Sequence, residues 1–336
     1  MPVDPFLELL LSSLPPLPDP IDDFDAWRAQ GAEAAEAMVA QLTEAGPEVA
    51  RIEDLRLPVG DATIDLRIYW PSAPGPHPAH VFLHGGGFVA GSIHETFVDT
   101  VCRERCVGAQ CVVVAVNYRK APEHQAPTAV NDCHAALMWL VENATHHDVR
   151  SDRITLGGQS AGANLVAALC LKLRDEAGPR VALQLLEVPV LDLTLSQPSY
   201  TSLATGYGLE TADVRRLVGW YVGSATEAAR HPYVSPLLAD DLSGLPRAHV
   251  MSAEYDPVRD DGELYVRRLN EAGVPATFSL QRGQIHVSGS LTKVMAAARS
   301  WREDALTVLR EVNQSTSVPS QSQIVSTPDL SSQGTA

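Results

Sequence analysis

The chain has 336 residues, 45% of them hydrophobic, and a formal net charge of −16 at pH 7. That length and apolar content allow one large core with a smaller appended segment. The negative charge argues against nucleic acid or an anionic membrane surface as a partner and disfavours strongly acidic substrates, and no apolar run reaches the roughly 18 residues that a membrane-spanning helix needs.

At the start, Leu9-Leu10-Leu11 is apolar, but Asp4 and Glu8 precede it and no Lys or Arg occurs before Arg28, so it does not read as a secretory signal. Residues 5–20 are punctuated by proline and predict a short helix followed by an extended arm. Residues 21–46 carry helical periodicity, with Trp27, Ala34, Met38 and Leu42 near one face. Strand candidates follow at 51–57, 62–70, 79–84, 111–117, 153–158, 182–188, 247–253 and 275–281. The run Ile64-Asp65-Leu66-Arg67-Ile68 alternates, as an early antiparallel pair would. Cys111 to Val116 is apolar throughout, which suits a central parallel strand buried on both faces. Helical patterns at 94–108, 128–145, 160–177, 258–272 and 288–309 separate or follow the later strands. This alternation predicts an α/β fold, an eight-stranded and mostly parallel sheet flanked by helices.

The stretch from Pro189 to Arg247 is too long for a simple crossover. It holds a helical pattern at 211–223, with Val214, Leu217, Val218 and Tyr221. Residues 1–45 and an inserted segment, 196–230, are therefore expected to form a helical cap over a main domain of 46–195 and 231–312. Residues 313–336 are rich in Ser, Gln and Thr and are expected to be disordered.

Chemistry concentrates at two glycine-flanked turns. Gly158-Gln159-Ser160-Ala161-Gly162 lies between the strand-like 153–157 and the helix-like 164–169. At a strand-to-helix turn this pattern forces the serine into a strained conformation with its hydroxyl exposed. Residues two positions away must then be very small. Upstream, Val81-Phe82-Leu83 runs straight into His84-Gly85-Gly86-Gly87. Acyl transfer passes through an oxyanion, and backbone N–H groups of such a loop can hold that charge where no side chain blocks their approach. The N–H of Ala161, just after the serine, adds another donor.

These two blocks, together with Asn117-Tyr118-Arg119-Lys120-Ala121-Pro122-Glu123-His124, Glu254-Tyr255-Asp256-Pro257-Val258-Arg259-Asp260 and Gly283-Gln284-Ile285-His286, resemble the hormone-sensitive lipase family of α/β-hydrolases, the bacterial family IV esterases. The resemblance covers about residues 50 to 310 and implies the α/β-hydrolase fold with a helical cap. It implies a serine esterase or lipase with Gly86 and Gly87, within the loop Gly85 to Gly87, as oxyanion donors beside Ala161.

The residues also assemble a triad. A serine needs a base, and the base needs an orienting carboxylate, in the chain order serine, acid, histidine. Asp256 and His286 follow the strand candidates 247–253 and 275–281, on the edge where the serine turn lies. Asp256 is taken over Asp260 and Asp261, which are expected to cap and charge the next helix. The family pattern is broken at two places. Gln159 stands where Asp or Thr is usual before the nucleophile, and Val287-Ser288 follow His286 where the family has Gly-Phe.

The expected reaction is hydrolysis of short- to medium-chain carboxylic esters through an acyl-enzyme, with a small-molecule ester as substrate and neither metal nor organic cofactor required. A long-chain lipase is the alternative within the enzyme class. The plant gibberellin receptors, similar in fold but lacking the catalytic histidine, provide the non-enzymatic alternative. Edge-strand dimers among similar enzymes make 275–281 the eligible strand for a homodimer.

The five cysteines, Cys102, Cys106, Cys111, Cys133 and Cys170, lie in helix- or strand-like segments without a second pair at zinc spacing. They read as buried thiols of a reducing compartment and, with no signal at the start, predict a cytoplasmic protein. His146-His147-Asp148 reads as a solvated turn rather than a metal site. His84 is expected to orient the glycine loop, and Tyr118, Glu123 and His124 to brace the fold. Trp220 and Tyr221 either line the pocket or anchor the cap.

Overall fold

The computed structural model describes residues 2–12, 17, 21–224 and 226–314. Its strands are β1 (Arg51–Val59), β2 (Ala62–Trp70), β3 (His77–Leu83), β4 (Val112–Asn117), β5 (Val149–Gln159), β6 (Leu183–Glu187), β7 (Ala248–Tyr255) and β8 (Ala276–Ile285). Its helices are α1 (Pro5–Leu11), α2 (Phe24–Leu42), α3 (Thr96–Ala109), α4 (Thr128–Glu142), α5 (Ala161–Asp175), α6 (Ser199–Ser202), α7 (Thr211–Val222), α8 (Arg259–Glu271) and α9 (Ala296–Gln314).

One sheet has the order β1-β2-β4-β3-β5-β6-β7-β8. β2 pairs antiparallel with β1 and β4, and every later pairing is parallel. The reason for the uniformly apolar β4 is visible in its alternation. Val112, Val114 and Val116 belong to the same core cluster as α4 and α5 residues, whereas Val113 and Ala115 belong to the one that holds α3 and α9 residues. Both faces of the strand are thus covered, as a parallel sheet requires. The order reverses around β3, which is flanked by β4 on one side and β5 on the other. Such a switch point opens a crevice at the carboxyl ends of the strands.

The predicted sheet is present, although β5 starts at Val149 rather than 153 and β8 runs to Ile285 rather than 281; other differences lie at helix boundaries. The helix expected from 288 begins at Ala296, after a short 3-10 turn at Ser288–Ser290. The end of α2 and the residues just after it hold the intervening segment: Lys293 N–H donates to Leu42 O at 2.9 Å, and Glu44 N–H to the Thr292 hydroxyl at 2.8 Å. Disorder from residue 313 is also corrected. Asn313 and Gln314 complete α9, and Asn313 Nδ2 donates to Ala109 O at 3.0 Å. Residues 315–336 lie outside the described residues, as does most of the expected arm at 12–20. On α2, Ala34 is exposed, and Ala35, with Trp27, Met38 and Val39, faces the interior.

All five cysteines are free and buried. Burial pushes the Cys106 thiol up to about 12 and the other four further still. The thiolate is the reactive form, so native protein at pH 8 is expected to give no reaction with an aromatic disulfide reagent, and five equivalents after unfolding. Rapid reaction of the native protein would contradict this packing. Among the described residues, no helix is long and apolar enough to cross a membrane.

Candidate active site

Ser160 stands between the last residue of β5 and the first of α5, with φ 53° and ψ −117°. A side chain at positive φ is strained and needs support. Its N–H donates to Glu187 O at 2.8 Å, and its carbonyl accepts from Asn164 N–H at 3.1 Å. The small neighbours are explained by contact. A Cβ on Gly162 would lie 2.1 Å from Leu83 O, and one on Gly158 would lie 2.5 Å from the carbonyl carbon of Gly162. The helix therefore sits directly on the ends of β3 and β5, and any larger residue would push it away.

Asp256 follows β7 immediately and His286 follows β8, so neighbouring strands deliver both to the serine. Asp256 is fully buried, and its Oδ2 lies 2.7 Å from His286 Nδ1. His286 Nε2 lies 3.0 Å from Ser160 Oγ. With Nδ1–H donated to the carboxylate, Nε2 is left to accept the serine proton. Val258 N–H donates to the other carboxylate oxygen at 3.1 Å and fixes its orientation.

The neighbouring acids are engaged elsewhere. Asp260 accepts from Ser199 N–H at 2.9 Å, and Asp261 from Leu191 N–H, Asp192 N–H and the Tyr200 hydroxyl. They charge the first turn of α8 but do not cap it, because the loop after β6 takes their oxygens.

His84, Gly85, Gly86 and Gly87 follow β3 and lie beside the serine turn, in the register Leu83 to Gly158. His84 Nδ1 donates to Gly85 O at 2.7 Å, and Tyr118 stacks on its ring at 4.4 Å while donating its hydroxyl proton to His84 O. Burial brings His84 down to about 3, so it is a neutral loop-orienting group. Gly86 has φ 116°, and a Cβ there would fall 2.2 Å from Ala90 O. Among the described residues, no backbone or side-chain acceptor takes the N–H of Gly86 or Gly87. Ala161 opens α5, where the first N–H groups have no intrahelical partner.

Next to this loop, Lys120 Nζ donates to Asn117 Oδ1 at 3.1 Å. Burial, with Arg28 nearby, brings its ammonium from 10.5 down to about 8. Between those values the unfolded chain holds a proton that the folded chain lacks, so this group makes stability rise with pH across that window. The stability of the wild type relative to Lys120→Met, measured by urea unfolding, should therefore rise from pH 8 to 10.5. A difference independent of pH would show that the ammonium is not buried in this way.

Ser160 and His286 line a cavity of about 510 Å³ whose walls include Trp27 and Met38 of α2, Val214 and Leu217 of α7, and Val287. Trp220 and Tyr221 are not among the lining residues. Trp220 packs edge-on against Phe24 at 5.1 Å, and Tyr221 stacks on Phe88 at 4.0 Å, which decides for the anchoring role. Gln159 reaches Glu187 Oε2 at 3.5 Å.

Two features escaped the sequence. Glu187 and Arg105 form a buried ion pair under the serine turn, joined by Trp301 Nε1 at 3.0 Å. Arg28 of α2 binds the backbone beyond the glycine loop. No spacing or motif links residues so far apart in the chain. His147 packs between Trp70 and Trp139, and among the described residues no group of His, Cys, Asp and Glu is placed to hold a metal ion.

A serine, an aspartate and a histidine delivered by the ends of β5, β7 and β8, facing a glycine loop at the sheet's switch point, define an α/β hydrolase. The family model described as alpha/beta hydrolase fold matches residues 80–289, and the chain belongs to this family. It is 36% identical over 301 residues to Carboxylesterase NlhH of Mycobacterium tuberculosis, covering 88% of this chain and 92% of that one. It is also 36% identical over 244 residues to an ethyl acetate hydrolase of Pseudomonas putida, covering 70% and 74%. An esterase structure from Pyrobaculum calidifontis superposes with a TM-score of 0.85 at 35% identity, covering 93% of this chain and 99% of that one. Together with the motif blocks, these likenesses make the chain an esterase of the hormone-sensitive lipase family.

Proposed function

We propose that the protein is a serine carboxylesterase acting on short- to medium-chain esters. The observation that carries this is the unbroken line of hydrogen bonds from Asp256 through His286 to Ser160, 2.7 and 3.0 Å long, beside an apolar cavity. Ser160 Oγ attacks the ester carbonyl as His286 Nε2 takes its proton, and Asp256 stabilises the resulting imidazolium. The N–H groups of Gly86, Gly87 and Ala161 hold the oxyanion, with Gly85 packed against the serine turn. His286 then protonates the departing alcohol. The same histidine deprotonates a water, which attacks the acyl carbonyl and releases the acid and Ser160. Side chains and amides handle every proton and charge, so the mechanism invokes no metal or organic cofactor.

Residues 1–45 and 196–230 act as the cap in this reading, since α2 and α7 supply cavity walls and meet through Phe24, Trp27 and Trp220. The walled cavity, within the size range of small-ligand pockets, favours short acyl chains, as does the relative named for ethyl acetate. Activity on 4-nitrophenyl butyrate should exceed that on the palmitate ester; faster palmitate turnover would make it a long-chain lipase. A fluorophosphonate should form a covalent adduct on Ser160 of the folded protein. Without an adduct, a ligand-binding role would be the better account. A cytoplasmic location and a homodimer through the edge strand β8 complete the proposal. Sedimentation of the purified chain tests the second.

A further inference from the structure

We propose that Arg28 is a positioning residue for the oxyanion loop, so that the N-terminal segment takes part in catalysis as well as walling the cavity; this rests on the ester-hydrolase reading above. Arg28 Nε donates to Val89 O at 2.7 Å, and Nη2 to Ala121 O at 2.8 Å. Both acceptors are tied to the loop. Val89 and Ala90 N–H donate to Gly86 O at 3.1 and 2.8 Å, and Ala121 N–H donates to Phe88 O at 3.0 Å. The guanidinium therefore closes a ring of hydrogen bonds around residues 86–90.

That segment needs outside support. Phe88 is a bulky residue at φ 66°, and Gly86 stands at φ 116°. Backbone in such regions persists only where surrounding contacts over-determine it. A planar guanidinium fixes the separation of the two carbonyls it bridges, which a lysine ammonium cannot do. Glu123 receives Nη1 and Nη2 at 3.0 and 2.6 Å, orienting the fork and balancing its charge. Oxyanion donors work because they are fixed before the charge develops, and Arg28 is the tether that fixes these.

The test uses the full chain and 4-nitrophenyl acetate. Arg28→Ala should lower kcat by about 10- to 100-fold with little change in KM, because donors are displaced while the cavity remains. Affinity for an alkylboronic acid, which forms a tetrahedral adduct on Ser160, should fall in the same ratio as kcat/KM. Guanidinium ion at non-denaturing concentration should restore part of kcat, and equal sodium chloride should not. Arg28→Lys should fall between the two proteins, and Asp25→Asn, which loses only the outermost contact of the guanidinium, should match the wild type. Should Arg28→Ala fail to fold by circular dichroism, Arg28→Lys decides by the same measurements. A folded variant with kcat and boronate affinity within twofold of wild type, or with KM alone changed, overturns the proposal. A wild type that neither turns over ester nor reacts with fluorophosphonate sinks the underlying reading as well.

Discussion

Ser160→Ala is expected to keep the fold and to lower kcat by about five to six orders of magnitude. The substitution removes one oxygen whose only side-chain partner among the described residues is His286 at 3.0 Å, while the N–H to Glu187 O bond that supports the strained turn remains. His286→Ala should cost about as much, because an unactivated serine and a missing serine are nearly equivalent, and adding the second change to the first should cost little more. Asp256→Asn should cost about 10⁴, since an amide in place of the carboxylate favours the wrong imidazole tautomer. Turnover of 4-nitrophenyl butyrate and thermal unfolding of each variant would check this. Near-normal activity in Asp256→Asn, with loss in Asp260→Asn, would move the acid to the neighbouring position.

The parts of this site that were legible in sequence are those set by local chemistry. Gly158 must be small because α5 folds back on its own strand end, and Gly162 because α5 also sits on the end of neighbouring β3, so the spacing around the serine carries the signal. The strands were legible because alternation and continuous apolarity report burial on one face or two, as β2 and β4 illustrate. What escaped is set by distant partners. Residues 288–295 have a helix-compatible sequence, yet the end of α2 and the residues just after it bond to the Lys293 N–H and the Thr292 hydroxyl, and nothing local records that. Asn313 and Gln314 look like tail by composition, but the side chain of Asn313 is held at the end of α3. Arg28 and the Arg105–Glu187 pair were missed for the same reason: a buried charge finds its partner through the fold, and the sequence shows only an isolated ionic residue.

Gly86→Ala is expected to lower kcat by about 10² to 10³, the cost of losing one oxyanion donor, while Ser160 and His286 stay hydrogen-bonded. The new Cβ would meet Ala90 O at 2.2 Å and its carbonyl carbon at 2.5 Å, both backbone atoms, at a φ of 116° that L-residues avoid. Relief requires the loop to open, which breaks the bond from Ala90 N–H to Gly86 O and turns the Gly86 amide away from the serine. The other glycines provide a graded comparison. At Gly87 the obstacle is the end of the Leu217 side chain at 2.7 Å, which can swing aside. At Gly85 the nearest atom is Gln159 O at 3.2 Å, so the strand end needs to yield only slightly. The loss in kcat should therefore rank Gly86→Ala above Gly87→Ala above Gly85→Ala, with KM for the butyrate ester changing less than kcat in the first. A Gly86→Ala enzyme within tenfold of wild-type kcat would mean that this amide does not hold the oxyanion, and the donors would have to be sought at Gly87 and Ala161 alone.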